Sequence, residues 1–184
     1  MPISRCPTPS SRPRAAEAVR IIGIDPGLRF TGWGIIEQAG TRLTHVAHGV
    51  VTAPREGALS ARLAAIFDAV EAVLAEHTPG AAAIEETFVN RDARATLKLG
   101  QARAAAMLAA ARAGLEVAEY APNLVKKSVV GRGHADKAQI RFMVMRLLPG
   151  CALDSEDAAD ALAVAITHAH HAGGPARLVR EADR

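Results

Sequence analysis

A mixed α/β fold, a five-stranded sheet with helices on both faces, is what this sequence predicts, and three observations point to it. Short apolar runs stopped by turn residues come first and give three strands in series. Stretches with apolar residues every three or four positions then alternate with two further apolar runs. The 184 residues are 49% hydrophobic, 3% aromatic and 22% charged, the make-up of one globular domain. With so few aromatics its core must be built from Ala, Val, Ile and Leu.

Taken in order, residues 1–19 carry Pro2, Pro7, Pro9 and Pro13 among Ser and Arg; with no periodic apolar face they are expected to be a disordered leader. Residues 20–25 are nearly all apolar and stop at Pro26-Gly27, as a strand buried on both faces does before a tight turn. Residues 31–37 and 43–51 read as two more strands around a turn at Gly40. Leu63, Ile66, Phe67, Val70, Val73 and Leu74 mark one face of a helix over 59–77, closed by Pro79. A fourth strand is expected over 81–88. Asn90 can cap a helix running to about 113, which Gly114 closes, and residues 115–120 form the fifth strand. Pro122 suits the first turn of a helix over 122–130, and Gly131-Arg132-Gly133 breaks it. Helices over 136–148 and 155–171 follow, and Gly173-Gly174-Pro175 opens a charged tail over 173–184. The domain proper is thus expected over 20–172.

Net charge is only +3, but its distribution is informative. Lys126, Lys127, Arg132, Lys137, Arg141 and Arg146 face a single acid, Asp136, in their stretch, and an acidic cluster follows at Asp154, Glu156, Asp157 and Asp160. A basic belt fits a polyanionic partner. No run approaches the roughly 18 apolar residues of a membrane span, and the N-terminus lacks the apolar core of a signal peptide. A cytoplasmic location is expected. Cys6 and Cys151 are far apart and outside any CxxC pair, so reduced free thiols are expected rather than a zinc ribbon or redox motif.

The chemistry is carried by four acids. Asp25 follows a buried apolar strand, Glu85 sits inside one, and Asp157 and Asp160 open a helix that is otherwise almost wholly apolar. Carboxylates among apolar neighbours are forced toward protonation unless a cation compensates them, so their meeting at one sheet end would make a divalent metal site. Oxygen donors without Cys or His select hard ions, Mg²⁺ or Mn²⁺. Each acid alone also has a plainer reading: a turn residue for Asp25, helix-start residues for Asp157 and Asp160, an outward-facing position for Glu85. Alternation lets only one of Glu85 and Glu86 face the site. His168, His170 and His171 lie at a helix end, where capping or solvation is the expected role.

Five ordered blocks, spanning roughly 19–171, resemble one family. They are Ile22-Gly23-Ile24-Asp25-Pro26-Gly27 with Thr31-Gly32-Trp33-Gly34, then Ala83-Ile84-Glu85-Glu86-Thr87-Phe88, Leu97-Lys98-Leu99-Gly100-Gln101-Ala102-Arg103, Val125-Lys126-Lys127-Ser128-Val129-Val130-Gly131, and Asp157-Ala158-Ala159-Asp160-Ala161-Leu162-Ala163. Together they are similar to the RuvC family of bacterial Holliday-junction resolvases. The resemblance implies an RNase H-like fold and a homodimeric, Mg²⁺-dependent endonuclease making paired symmetric nicks in four-way DNA junctions. Its acidic set falls on Asp25, Glu85, Asp157 and Asp160. Two Mg²⁺ ions per site are implied, about 3.5–4 Å apart and bridged by Asp25, with Mn²⁺ able to substitute. Lys126 and Lys137 match the basic segment, and Lys127 and Arg132 belong to the same DNA-binding belt. Phe88 stands where the family places an aromatic among bases near the crossover, a contact worth about 1–3 kcal/mol per stacked base. A RuvA–RuvB type branch-migration complex is the implied partner.

Three departures are small. Trp33 stands where Tyr is commoner, Glu86 where Gln is frequent, and the leader has no family counterpart. Rival readings meet specific obstacles. An actin-like nucleotide-binding protein needs a second lobe that this length does not hold. A DNA-binding dimer without chemistry is opposed by four intact acids. A YqgF-like RNA nuclease is distinguished by the basic belt and the Asp157–Asp160 block. For the dimer, the helix over 90–113 is the candidate interface: Gly100, Ala104 and Ala109 would permit close approach, and Leu97, Met107 and Leu108 would supply apolar contact.

Overall fold

The structure, a computed structural model, describes residues 17–87, 92–133 and 135–172. The elements are β1 (Val19–Asp25), β2 (Phe30–Ala39), β3 (Arg42–Thr52), α1 (Leu59–His77), β4 (Ala81–Glu85), α2 (Ala93–Arg112), β5 (Val117–Tyr120), α3 (Pro122–Val130), α4 (Lys137–Leu147) and α5 (Glu156–Ala172). They form one sheet of order β3-β2-β1-β4-β5. β1 to β3 are an antiparallel meander, and β4 and β5 join parallel to β1.

Alternation along the strands sorts the core into two halves. Ile22, Ile24, Ala82 and Ile84 point to the side covered by α1 and α2, together with Ile66, Val70, Ala106 and Ala109. Ile21 and Ala83 point to the other side, where α3, α4 and α5 pack and Leu162 and Ile166 fill the space. The same alternation carries Asp25 and Glu85 onto this second side, two residues beyond Gly23 and Ala83. Glu86 is exposed.

α5 is buried between the sheet and α3 and α4 along most of its length, from Ala158 to Ala169. Three glycines explain how closely it lies on the strands. A Cβ built on Gly23 would fall 2.1 Å from the Ala161 carbonyl oxygen, one on Gly32 would fall 2.0 Å from that of Asp157, and one on Gly34 would fall 2.5 Å from Leu162 Cγ. Gly23 pairs with Gly34, and Asp25 with Gly32, across the β1–β2 ladder. The result is a side-chain-free groove that seats the helix backbone and delivers its first turns to Asp25.

Several boundaries differ from expectation. The fourth strand ends at Glu85 rather than 88, because its partners run out: β1 stops at Asp25-Pro26 and β5 at Tyr120, before Pro122 begins α3. The α2 cap is Asp92, whose side chain accepts from the Arg94 and Ala95 amides at 3.0 and 3.1 Å. Asn90, assigned that role from sequence, lies outside the described residues. Asp136 is the α4 cap, in a capping box with Gln139. β5 begins at Val117 because Leu115 still closes α2, its amide donating to the Ala110 carbonyl. Among the described residues no helix is long and apolar enough to cross a membrane.

Candidate active site

Asp25 and Glu85 end adjacent parallel strands, in register through Ile24 and Ile84, at the carboxyl edge of the sheet where ligands of open α/β sheets bind. Their carboxyl groups are hydrogen-bonded to each other. α5 supplies Asp157 in its first turn and Asp160 one turn on, and both act electrostatically on Asp25. The turn after Asp25 is held by Thr31, fully buried, whose hydroxyl donates to the Gly27 carbonyl at 2.8 Å and accepts from the Gly27 amide at 3.3 Å.

Burial is the first cause that pushes the Asp25 carboxyl up to about 8, followed by the charges of Glu85 and Asp160. Glu85 is also raised, chiefly by burial, against the hydrogen bond from Asp25 and the charges of Lys126 and Lys137. Asp160 is raised by burial while Lys137 opposes the shift. Such a cluster is frustrated when it is fully ionised and holds protons in place of a counter-ion. A divalent cation relieves both burial and repulsion, and the donors are all oxygen, so the residues present fit a hard ion.

Two lysines complete the cleft. A hollow of about 210 Å³ beside Glu85 and Asp160 is lined by Lys126 of α3 and Lys137 of α4, with Val125 and Ile140 as its apolar wall. Lys137 Nζ lies 3.0 Å from Glu156 and 3.8 Å from Asp160. Lys127, one position round α3, is exposed, and Arg132 is exposed in the turn after it. Neither lines the cleft. Phe88 lies outside the described residues.

Sequence reading missed Arg103. Its Nε donates to the Glu85 carbonyl at 3.0 Å and its guanidinium pairs with Glu119, which ties α2 to the ends of β4 and β5. A long cation on a helix face of small residues was the available signal. Of the helix-end histidines only His168 needs correction, since His170 and His171 are exposed as expected. His168 is half-buried, with Nδ1 3.0 Å from the Tyr120 hydroxyl, because the last turns of α5 pack on β5 and α3; His170 Nδ1 lies 3.3 Å from Ser128 Oγ. Cys151 is a free thiol as expected, but it is buried beside His45 and His48. Cys6 lies outside the described residues.

The raised Asp25 carboxyl makes stability pH-dependent in the metal-free protein. Below its unfolded value of 3.8 the group is protonated in both states; between about 4 and 8 only the folded chain keeps the proton. The folded state therefore loses stability as pH rises through that window. In EDTA, Tm is expected to fall between pH 5 and 8, and Asp25→Asn should flatten that fall and raise Tm at pH 8 by at least about 2 °C, the equivalent of roughly 1 kcal/mol at this size. Thermal melts of both proteins across pH check it; equal slopes would remove Asp25 as the source.

Comparison with known proteins identifies the family. The family model described as Crossover junction endodeoxyribonuclease RuvC matches residues 21–168. A protein of that name from Azorhizobium caulinodans is 61% identical over 164 residues, covering 89% of this chain and 96% of its own, and one from Rhodopseudomonas palustris strain BisA53 is 60% identical over 168 residues, covering 91% and 97%. Among solved structures, the Thermus thermophilus RuvC in complex with Holliday junction substrate superposes with a TM-score of 0.78 at 34% identity, covering 84% of this chain and 95% of that one. With its mixed five-stranded RNase H-like sheet, the chain belongs to the RuvC family of crossover junction endodeoxyribonucleases, metal-dependent nucleases that hydrolyse DNA phosphodiester bonds.

Proposed function

We propose that Asp25, Glu85, Asp157 and Asp160 are the catalytic and metal-binding residues of a Mg²⁺-dependent enzyme that resolves four-way DNA junctions by paired nicks. The observation that carries this reading is the meeting of half-buried, mutually repelling carboxyls from β1, β4 and α5 beside two lysines. Magnesium held by these acids would supply an activated attacking water and neutralise charge on the leaving 3′-oxygen. Asp25, on which the charges of all three other acids act, would be the central oxygen donor to such ions. Lys126 and Lys137 hold the scissile strand's phosphates and oppose the upward shift of Glu85 and Asp160. Lys127 and Arg132 extend the DNA-binding surface outward, and Phe88 stacks on bases. Because β1 begins at Val19, one residue before the boundary expected from sequence, residues 19–172 are the nuclease unit, between the leader and the tail 173–184. A RuvA–RuvB type complex is the partner that delivers junctions, and the cytoplasm is the setting. The test is incubation of the purified chain with labelled four-way junction and linear duplex, with and without Mg²⁺. Junction-selective, Mg²⁺-dependent nicking supports the reading; equal cleavage of both substrates contradicts it.

The basic residues predict a salt signature. Each phosphate that a side chain ceases to neutralise reduces the slope of log K against log salt by about 0.9, so Lys126→Ala should lower that slope by about one and weaken junction binding. Binding isotherms over a range of salt check it, and an unchanged slope would return Lys126 to an ordinary surface role.

Two opposed nicks need two acidic sets, whereas the described residues of one chain hold one, so we place two subunits about a two-fold axis. The face that fits is on α2: Leu97 is 70% and Leu108 57% exposed, Ala104 is exposed between them, and nothing lies within 4 Å of a Cβ on Gly100. Ala109 and Met107, also assigned to that face from sequence, instead pack on the chain's own core. Ala104→Glu is expected to give monomers in sedimentation that lose paired nicking. A dimer with wild-type nicking would move the interface elsewhere.

A further inference from the structure

A second set of metal-type donors lies away from the carboxylate cleft, and a break in strand alternation creates it. On β3, Ala47 pairs with Ile35 and His45 with Ile36, which leaves Val46 as an inserted residue. Without the bulge, His45 and His48 would face opposite sides of the sheet. With it, Val46 turns toward the α1–α2 side, and both imidazoles share the side on which Cys151 is buried. The rings lie 4.9 Å apart, with His45 Nε2 2.8 Å from His48 Nδ1. Cys151, 4% exposed in the α4–α5 connection, places Sγ 4.0 Å from His48 Nδ1, and the three donor atoms lie within 4.8 Å of one another. Ligands of a tetrahedral zinc ion, with Zn–N near 2.0 Å and Zn–S near 2.3 Å, are about 3.3–3.8 Å apart. Side-chain adjustments of about 1 Å separate the two arrangements.

An independent feature is the far side of His48. Its Nε2 lies 3.5 Å from the Asp154 carboxylate, the partner that metal-bound imidazoles use to fix their tautomer and orientation. We propose that His45, His48 and Cys151 bind one Zn²⁺ ion, oriented by Asp154 and with a solvent ligand completing the shell. Two imidazoles and a thiolate choose a borderline transition ion over Mg²⁺. The ion joins the edge strand β3 to the connection that runs straight into Glu156, Asp157 and Asp160, so it acts as a clamp on the segment carrying two of the catalytic acids.

Cobalt reports the site directly, because only a thiolate ligand gives sulfur-to-cobalt charge transfer in the near ultraviolet. The full-length Cys6→Ser chain, which keeps a single cysteine, would be reduced, stripped of metal and titrated with Co²⁺, then with Zn²⁺. The expected result is one Co²⁺ per chain with the thiolate band, displaced by stoichiometric Zn²⁺ and resistant to excess Mg²⁺. The band should persist in Asp25→Asn and vanish in Cys151→Ser. His48→Gln and Asp154→Asn should each weaken Zn²⁺ binding at least about tenfold. If the buried Cys151→Ser chain does not fold, as judged by circular dichroism, the half-buried His45→Gln variant decides by the same loss. Absence of the band in the folded protein, or a band and affinity unchanged by both histidine substitutions, overturns the proposal.

Discussion

Asp25→Asn is expected to lower junction cleavage by about 10³-fold or more, equivalent to roughly 4 kcal/mol of transition-state stabilisation, while junction affinity in Mg²⁺-free buffer stays within about threefold of wild type. The two halves have separate physical origins. Asp25 is the carboxyl on which the charges of the other three acids all act, so its loss takes the central oxygen donor out of the cluster. Affinity rests on phosphate contacts from lysines that the substitution leaves in place. Asparagine keeps the shape and one acceptor oxygen, so packing around β1 is preserved. Single-turnover cleavage and gel-shift titration on the same preparation measure both quantities. Cleavage at the wild-type rate would remove Asp25 from the chemistry, and a parallel fall in binding and cleavage would make its role structural.

A comparably large effect is expected at a residue that has no side chain. Gly23→Ala places a methyl carbon against backbone, 2.1 Å from the Ala161 carbonyl oxygen and 2.5 Å from the Ala165 nitrogen, where no side chain can swing aside. α5 must lift from the sheet, and Asp157 and Asp160 move with it. Overpacking of this kind costs about 3 kcal/mol, a fall of roughly 6–12 °C in Tm at this chain length. Cleavage should fall at temperatures where the variant is still folded. Gly80→Ala is the control, since its nearest new neighbour is Val19 Cγ1 at an ordinary 3.5 Å. Thermal melts and cleavage rates of the two variants check the contrast; equal behaviour would mean that the groove does not seat α5.

That groove marks a boundary of what the sequence made legible. Elements with a strong period, such as the helix through Ile66, Val70 and Leu74, were readable because a single face had to be apolar along their length. Asp25 and Glu85 were readable as candidates because a carboxyl beside an apolar run is costly wherever it lands. Gly23, Gly32 and Gly34 were visible only as motif letters. Their meaning depends on the helix opposite them, more than a hundred residues later. The pairing of His45 with His48 was hidden for a related reason: a bulge is a property of two strands in register, and strict alternation on β3 would separate them. Small residues on α2 read alike whether they meet a partner or the chain's own core, which is why Ala104 and Ala109 were grouped although only Ala104 is exposed. The strand end at Glu85 was set by its neighbours running out, beyond the reach of a local pattern.

The most direct test of the carboxylate centre is the place where a hard, anomalously scattering ion binds. Crystals soaked in Mn²⁺, which supports the same oxygen-donor chemistry as Mg²⁺, would be measured at the manganese absorption edge. The account predicts anomalous density in contact with the Asp25 carboxylate and enclosed by Glu85, Asp157 and Asp160, absent from the Asp25→Asn crystal. Manganese bound elsewhere on the chain, with none among these four acids while Mn²⁺ sustains junction cleavage in solution, would contradict it.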